Sequence, residues 1–297
     1  YRSHQKRLIP LLAKTYAFHF AHQYMSQRFI NQNEQDGREI EALAAGLKAL
    51  STWHTTHTLQ MCREACGGAG YMTENRFAEL KADTDIFTTF EGDNTVLLQL
   101  VAKGRLTAFK KEFRNMNMWG LLKFASHQAS HYLIDFNPIS VRNTNTNHLQ
   151  DSNFHLHLLQ AREEDLVMSV ANRLKKRIDN GQDAYEAFIE CQNHLIVMAK
   201  AYIERIVLQQ FILKVEQCED EALKTVLKTV CDVYALHTIH ENKGWFLEQG
   251  YLEGVKTKAI RKQLETLCLQ LRFEAEALVE AFGIPDNILA APIALQK

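Results

Sequence analysis

Apolar residues recur every three or four positions along most of this chain, a spacing typical of helices that bury one face. In the first segment, 4–33, the periodic apolar positions are Leu8, Leu11, Leu12, Phe18, Phe20 and Tyr24. The same spacing predicts further helices over 35–50, from Ser51 or Thr52 to Cys66, from near Gly92 to about Asn115, and over 119–134. Helices of this length with short connections predict an antiparallel bundle.

A polar stretch at 137–151 separates this bundle from a second one. It contains Pro138 and a run of Arg, Asn and Thr at 142–147, which predicts an exposed loop. Long amphipathic segments follow at 152–179, 184–217, 219–241 and 252–282. No alternating apolar pattern suggests a strand. We therefore predict an all-α fold of two helical bundles, 1–136 and 151–297.

The composition excludes several classes of protein. Hydrophobic residues make up 46% of the 297 positions, with only 4 Pro and 13 Gly, which favours a globular helical fold. The net charge of −1 gives no basic field for nucleic acid, and no apolar run approaches the ~20 residues of a membrane span. We therefore expect neither a nucleic-acid partner nor a membrane span. The chain begins at Tyr1 without an initiator Met, so we expect a fragment.

Three glycines fall within four positions, at Gly67, Gly68 and Gly70, directly after a predicted helix. Such a cluster usually ends a helix and turns the chain. It also suits a backbone that must lie close to a neighbouring group, because glycine has no side chain in the way.

Glu91 lies between an aromatic residue and a glycine, just before the apolar run 96–101. The Asp, Asn and Thr that follow Gly92 favour the start of a helix, since their side chains bond free backbone N–H groups. A lone glutamate at such a place is most often a cap or a partner of the helix dipole. The alternative is a reactive carboxylate that projects from a loop–helix junction.

Among the 13 histidines, three pairs have helical spacing: His54/His57, His127/His131 and His237/His240. None has the Glu or Cys companions of a buried metal site. We therefore expect no metal.

Two motifs in order carry a resemblance to a known family. The first is Cys66-Gly67-Gly68-Ala69-Gly70-Tyr71, and about twenty residues later comes Phe90-Glu91-Gly92-Asp93-Asn94-Thr95-Val96-Leu97-Leu98-Gln99. Together they resemble the C-terminal half of acyl-CoA oxidases, which are flavoenzymes of the acyl-CoA dehydrogenase superfamily. Segments 7–13 and 281–286 resemble the opening and closing segments of that half. The resemblance therefore covers nearly the whole chain.

The resemblance implies a chemical role for Glu91. The matching glutamate is the base that removes the α-proton of an acyl-CoA thioester, while the β-hydrogen leaves as hydride to FAD and trans-2-enoyl-CoA forms. The N–H of the same glutamate helps to polarise the thioester carbonyl, as in an oxyanion hole. Phe90 and Gly92 would line the acyl-CoA site.

The resemblance also implies the cofactor and the assembly. In the family, the glycine turn approaches the FAD of the neighbouring subunit. The second helical domain takes the space that a neighbouring dimer fills in dehydrogenase tetramers, so the resemblance implies a homodimer. The residues that match FAD contacts are Gly67, Gly68, Gly70, Asp93, Asn94, Thr95 and Gln5. The chain by itself would supply the base and one wall of the flavin site, and we expect it to be inactive alone.

The electron acceptor and the location are further expectations. The second helical domain and Asp93 after Gly92 resemble oxidases, which pass electrons to oxygen and release hydrogen peroxide. The alternatives are a dehydrogenase that uses an electron-transfer flavoprotein, and a helical dimerisation module without catalysis. The last residues, Leu295-Gln296-Lys297, differ from the Ser-Lys-Leu peroxisomal signal. This favours the bacterial cytoplasm, with the peroxisome as the location in a eukaryote.

Overall fold

The computed structural model describes residues 1–32, 37–115 and 141–295, and within these ranges every regular element is a helix. The α-helices are α1 (Arg2–Ile30), α2 (Gly37–Ala65), α3 (Phe77–Ile86), α4 (Asn94–Asn115), α5 (Thr146–Leu149), α6 (Ser152–Asp179), α7 (Ala184–Glu190), α8 (Gln192–Glu216), α9 (Glu221–Glu241), α10 (Lys243–Glu248), α11 (Gly254–Leu271), α12 (Ala275–Glu280), α13 (Asp286–Leu289) and α14 (Pro292–Leu295). Two 3₁₀ turns, Gly67–Tyr71 and Thr73–Asn75, lie between α2 and α3. The all-α prediction is confirmed.

The predicted break at Ser51 or Thr52 is wrong, because α2 runs through it without interruption. Both hydroxyl groups donate to the carbonyl of Lys48 in the preceding turn, at 3.4 Å and 2.9 Å. Ser and Thr side chains that bond backward in this way lie inside a helix and do not cap one.

The sequence pattern missed α3 and joined α7 to α8. Helix α3 has no buried residue, so it shows no apolar periodicity from which it could be predicted. The predicted segment 184–217 is interrupted at Cys191, between α7 and α8. The predicted helix 119–134 lies outside the described residues.

Helix α8 is the centre of the structure, and it packs against α1, α4, α6 and α9. Its buried residues point in all directions around the helix, as expected for one surrounded by others. Helix α2 also reaches it, and Gly46 allows this contact because a Cβ there would lie 2.4 Å from Cδ1 of Ile203. One cluster of buried side chains therefore includes residues from both halves of the chain. The division into bundles 1–136 and 151–297 stays a prediction.

A buried carboxylate ties three helices together beside this core. Glu163 of α6 accepts hydrogen bonds from Nε of Arg105 on α4 and Nε of Arg205 on α8, each at 2.7 Å. Its side chain is 3% exposed. The charge is acceptable in the interior because two guanidinium groups share it.

None of the helices in the described ranges combines the length and the apolar character that a membrane span requires.

Candidate functional site

The glycine turn follows α2 as the 3₁₀ segment Gly67–Tyr71. Gly67 has a φ of 59°, which favours glycine. At Gly70 a Cβ would lie 2.0 Å from the carbonyl oxygen of Arg63, so any side chain would displace the turn. At Gly68, as at Gly67, a Cβ would meet nothing within 4 Å. The space beside Gly68 is open to a group from outside the described chain.

Two side chains hold the glycine turn in place. Nε of Arg63 donates to the carbonyl of Gly70 at 3.2 Å, and its guanidinium carbon lies 4.2 Å from the centre of the Tyr71 ring. From the other side, Nδ2 of Asn75 donates to the carbonyl of Ala69 at 2.8 Å. The turn is therefore fixed before any ligand binds.

Glu91 lies in the loop between α3 and α4 and is exposed. Its φ is 56°, and that of Gly92 is 104°. A positive φ is uncommon for a residue other than glycine and costs free energy, and such residues concentrate at functional sites. The cap of α4 is supplied by Asp93, whose Oδ1 accepts from the N–H groups of Thr95 and Val96 at 2.8 Å and 3.2 Å. Glu91 is therefore not needed as the cap.

The loop is pinned to α2 by Lys48 and Asn94. Nζ of Lys48 donates to the carbonyl of Gly92 at 2.7 Å and to Oδ1 of Asn94 at 2.9 Å. Asn94 is 1% exposed, and its Nδ2 donates to the carbonyl of Ala49 at 3.1 Å and to Oγ1 of Thr52 at 2.9 Å. These contacts set where Glu91 projects.

Lys48 also provides positive charge at the loop. Burial lowers the pKa of its ammonium group, while the carboxylates of Asp93 and Glu91 act in the opposite direction. Nothing in the sequence suggested Lys48, since its contacts with the loop span more than forty residues along the chain.

The two motifs lie at opposite ends of α3, which packs against both α2 and the glycine turn. Since α3 has 10 residues, it separates them by about 15 Å at the usual rise of an α-helix. Large apolar side chains near both motifs are exposed, namely Tyr71, Met72, Ile86, Phe87, Phe90, Val96 and Leu100. Exposed apolar side chains grouped along the chain in this way are typical of a contact with a ligand or with another part of a protein.

The remaining predicted site residues fall in different environments. Asp93 and Thr95 are exposed beside Glu91, but the side chain of Asn94 points into the protein. Gln5 is half-buried on α1, two residues before Arg7. The guanidinium of Arg7 pairs with Glu64 near the end of α2, which places the start of α1 beside the helix that leads into the glycine turn.

Two of the three histidine pairs lie within the described residues. His54 lies 2.9 Å through Nε2 from Oγ1 of Thr15, and burial lowers its pKa to about 3. His237 lies 3.6 Å from Glu241, and the pair His127/His131 lies outside the described residues. In the part of the chain that the structure describes, no three His, Cys, Asp or Glu side chains are placed to hold a metal ion.

Comparison with known proteins matches both halves of the chain to one family. The profile of the acyl-CoA oxidase C-alpha1 domain matches residues 1–106, and the acyl-CoA oxidase profile matches residues 151–296. Acyl-coenzyme A oxidase 2, peroxisomal, of Arabidopsis thaliana is 40% identical over 301 positions, covering 100% of this chain and 43% of the relative.

Solved structures agree with the sequence comparison. Arabidopsis thaliana acyl-CoA oxidase 1 has a TM-score of 0.84 at 28% identity, over 98% of this chain and 44% of that one. Caenorhabditis elegans acyl-CoA oxidase-1, solved in complex with FAD and ATP, shares the fold with a TM-score of 0.81 at 20% identity, over 98% and 44% of the two chains.

The expected bacterial cytoplasmic location is wrong. The plant relative is a peroxisomal protein by name, so the comparison points to a peroxisomal oxidase of a eukaryote. The expectation rested on the last three residues, and these are no guide in a chain that spans about 43% of the relative's length. The resemblance seen in the two motifs is confirmed: the chain belongs to the acyl-CoA oxidase family and corresponds to the C-terminal part of its relatives.

Proposed function

We propose that this chain is the C-terminal part of an FAD-dependent acyl-CoA oxidase, in which Glu91 is the catalytic base. One observation carries the proposal: Glu91 is exposed at a φ of 56° although Asp93, two residues later, already caps α4. Glu91 does not cap the helix, its backbone is strained, and the loop around it is held in place. Its carboxylate therefore has no evident structural purpose, and it suits proton abstraction.

The carboxylate of Glu91 accepts the α-proton of the acyl thioester, and the electron pair of that C–H bond forms the α,β double bond. FAD, when bound, supplies the acceptor for the hydride that leaves the β-carbon. The α-proton is weakly acidic, so the developing negative charge on the thioester oxygen needs a donor. Within the described residues no hydrogen bond uses the N–H of Glu91, and this group is therefore available to that oxygen.

The neighbours of Glu91 suit an acyl-CoA substrate. Phe90 is 47% exposed, and its ring meets the Phe87 ring edge to face with centres 5.5 Å apart. These rings offer an apolar surface to an acyl chain. Gly92 follows Glu91 directly, and Lys48 holds its carbonyl. A Cβ at Gly92 would lie 3.0 Å from Cδ2 of Leu97, so a larger residue would disturb the loop beside the base.

The glycine turn is suited to form one wall of the FAD-binding site. The open space beside Gly68 is room for a ligand, and the rigid support of Gly70 keeps the backbone in position. We assign Gly67, Gly68, Gly70, Asp93, Thr95 and Gln5 to this wall. The side chain of Asn94 instead anchors the loop, since its amide is already bonded to α2. In a homodimer this wall would face the FAD of the neighbouring subunit, and the exposed apolar side chains around it would be covered.

Replacing Lys48 by Met in the full-length enzyme is expected to lower kcat about tenfold, because a loop that is held less firmly misplaces the base relative to the substrate. The loop after Glu91 would lose its bonds to the carbonyl of Gly92 and to Asn94. Steady-state turnover of acyl-CoA measures the effect, and Lys103→Met on the exposed face of α4 is the control. Equal kcat for the two variants would show that Lys48 does not position the base.

The electron acceptor is tested by reoxidation of the reduced flavin. We expect the full-length enzyme, reduced by acyl-CoA without oxygen, to reoxidise rapidly in air and to release one hydrogen peroxide per flavin. Flavin absorbance and a peroxide assay measure this. Flavin that stays reduced until an electron-transfer flavoprotein is added would establish the dehydrogenase alternative. A full-length protein that binds no FAD would favour the non-catalytic helical module.

A further inference from the structure

One side chain, Asn75, joins the glycine turn to the C-terminal end of the described chain. Its Nδ2 donates to the carbonyl of Ala69 inside the turn at 2.8 Å. Its Oδ1 accepts from the N–H of Ile293, in α14, at 3.0 Å. The two bonds connect backbone groups that are more than two hundred residues apart in sequence.

The contact between the turn and the C-terminal segment does not depend on one bond alone. Helix α14 packs against the 3₁₀ turn Thr73–Asn75. Next to it, Nη1 of Arg76 donates to the carbonyl of Ile288 at 3.2 Å, and Arg76 itself has a φ of 63°. The segment 286–295 therefore packs against residues 73–76, which follow the glycine turn.

Asn75 suits this position because it is buried and uses both ends of its amide. It is only 6% exposed, so water does not readily replace either partner. A carboxylate of the same size would keep the acceptor for Ile293 but would have no N–H for the carbonyl of Ala69.

We propose that Asn75 is a positioning residue through which the segment 286–295 fixes the glycine turn against the flavin. The inference rests on the proposed function of the turn as a wall of the FAD site. This role does not require Asn75 or the C-terminal segment to contact the reacting atoms. Their effect is on the position of the backbone at 67–71, and therefore on the affinity for FAD and on the environment of the flavin.

The test uses three variants of the full-length enzyme. These are Asn75→Ala, a replacement of 291–295 by a Gly/Ser linker of equal length, and the two changes combined. We expect each single change to raise the Kd for FAD about tenfold, the effect of losing one or two buried hydrogen bonds. The combined variant should bind FAD as tightly as Asn75→Ala alone. With Ala at position 75 the bond to Ile293 is already lost, so replacing the segment as well removes nothing further. The visible circular dichroism of the bound flavin should change in all three.

Asn287→Ala is the matched control, since Asn287 is an exposed asparagine in the same segment. It should leave the Kd and the flavin spectrum unchanged. Asn75→Ala and linker variants that lower the melting temperature of the apoenzyme but keep the wild-type Kd and flavin spectrum would overturn the inference. Additive effects of the two changes on the Kd would also overturn it. A wild-type enzyme that holds no FAD would instead refute the proposed function and this inference with it.

Discussion

Replacing Glu91 by Gln in the full-length enzyme is expected to slow the reduction of flavin by acyl-CoA by ~10²–10⁴, the range of general acid–base catalysis. Gln has the size and shape of Glu but cannot accept the α-proton. Its backbone N–H remains, as do the Asp93 cap of α4 and the contacts of Lys48 with Gly92 and Asn94. The variant should therefore keep its loop geometry and its FAD while the proton transfer fails.

The measurement is stopped-flow flavin absorbance under anaerobic conditions, with enzyme that has been shown to carry wild-type amounts of FAD. Glu41→Gln provides the control, because it makes the same chemical change at an exposed position of α2. A loss of only a few-fold for Glu91→Gln would mean that another group removes the proton. Loss of FAD together with activity would assign the residue to cofactor binding.

Local sequence marks only part of the proposed site. Gly67 and Gly70 are required by backbone angle and by space, and Glu91 is recognised by the residues on both sides of it. Lys48 and Asn75 escaped notice because their roles come from hydrogen bonds to distant segments of the chain. Nothing in their immediate sequence distinguishes them from ordinary surface residues of a helix or turn.

Asn94 shows that a sequence motif does not fix the direction of each of its side chains. Its neighbours Asp93 and Thr95 are exposed, and the same segment was expected to contact FAD throughout. At a helix start, however, successive side chains point in different directions. Asn94 points toward α2, where its amide has three partners, namely Lys48, Ala49 and Thr52.

The fold was predictable wherever a helix buries one face. Helices α1 and α4 follow the predicted segments closely because their apolar residues recur with helical period. Helix α3 buries no residue, and periodicity therefore could not reveal it. Which helices share a core is decided by long-range contacts, so the central place of α8 between both halves was not predicted.

The largest expected effect on stability follows from the charge inside that shared core. Replacing Glu163 by Ala should destabilise the fold by about 3–5 kcal/mol, the cost of removing one partner from a buried ion pair. The carboxylate lies 2.7 Å from Nε of both Arg105 and Arg205. Without it, two guanidinium groups on α4 and α8 would face each other across the space that the side chain of α6 had filled, with repulsion in place of attraction.

Urea unfolding followed by circular dichroism measures this prediction, and the adjacent Glu164→Ala is the control. Glu164 accepts a bond from Nε2 of Gln160 at 2.8 Å on the exposed face of α6. Its loss should cost less than about 1 kcal/mol, as for other exposed polar contacts. If Glu163→Ala were as mild as its neighbour, the three helices would be held by apolar packing alone. In that case the bonds to Arg105 and Arg205 would contribute little to stability. The attraction lost in the variant would be balanced by the cost of desolvating the carboxylate, which the variant avoids.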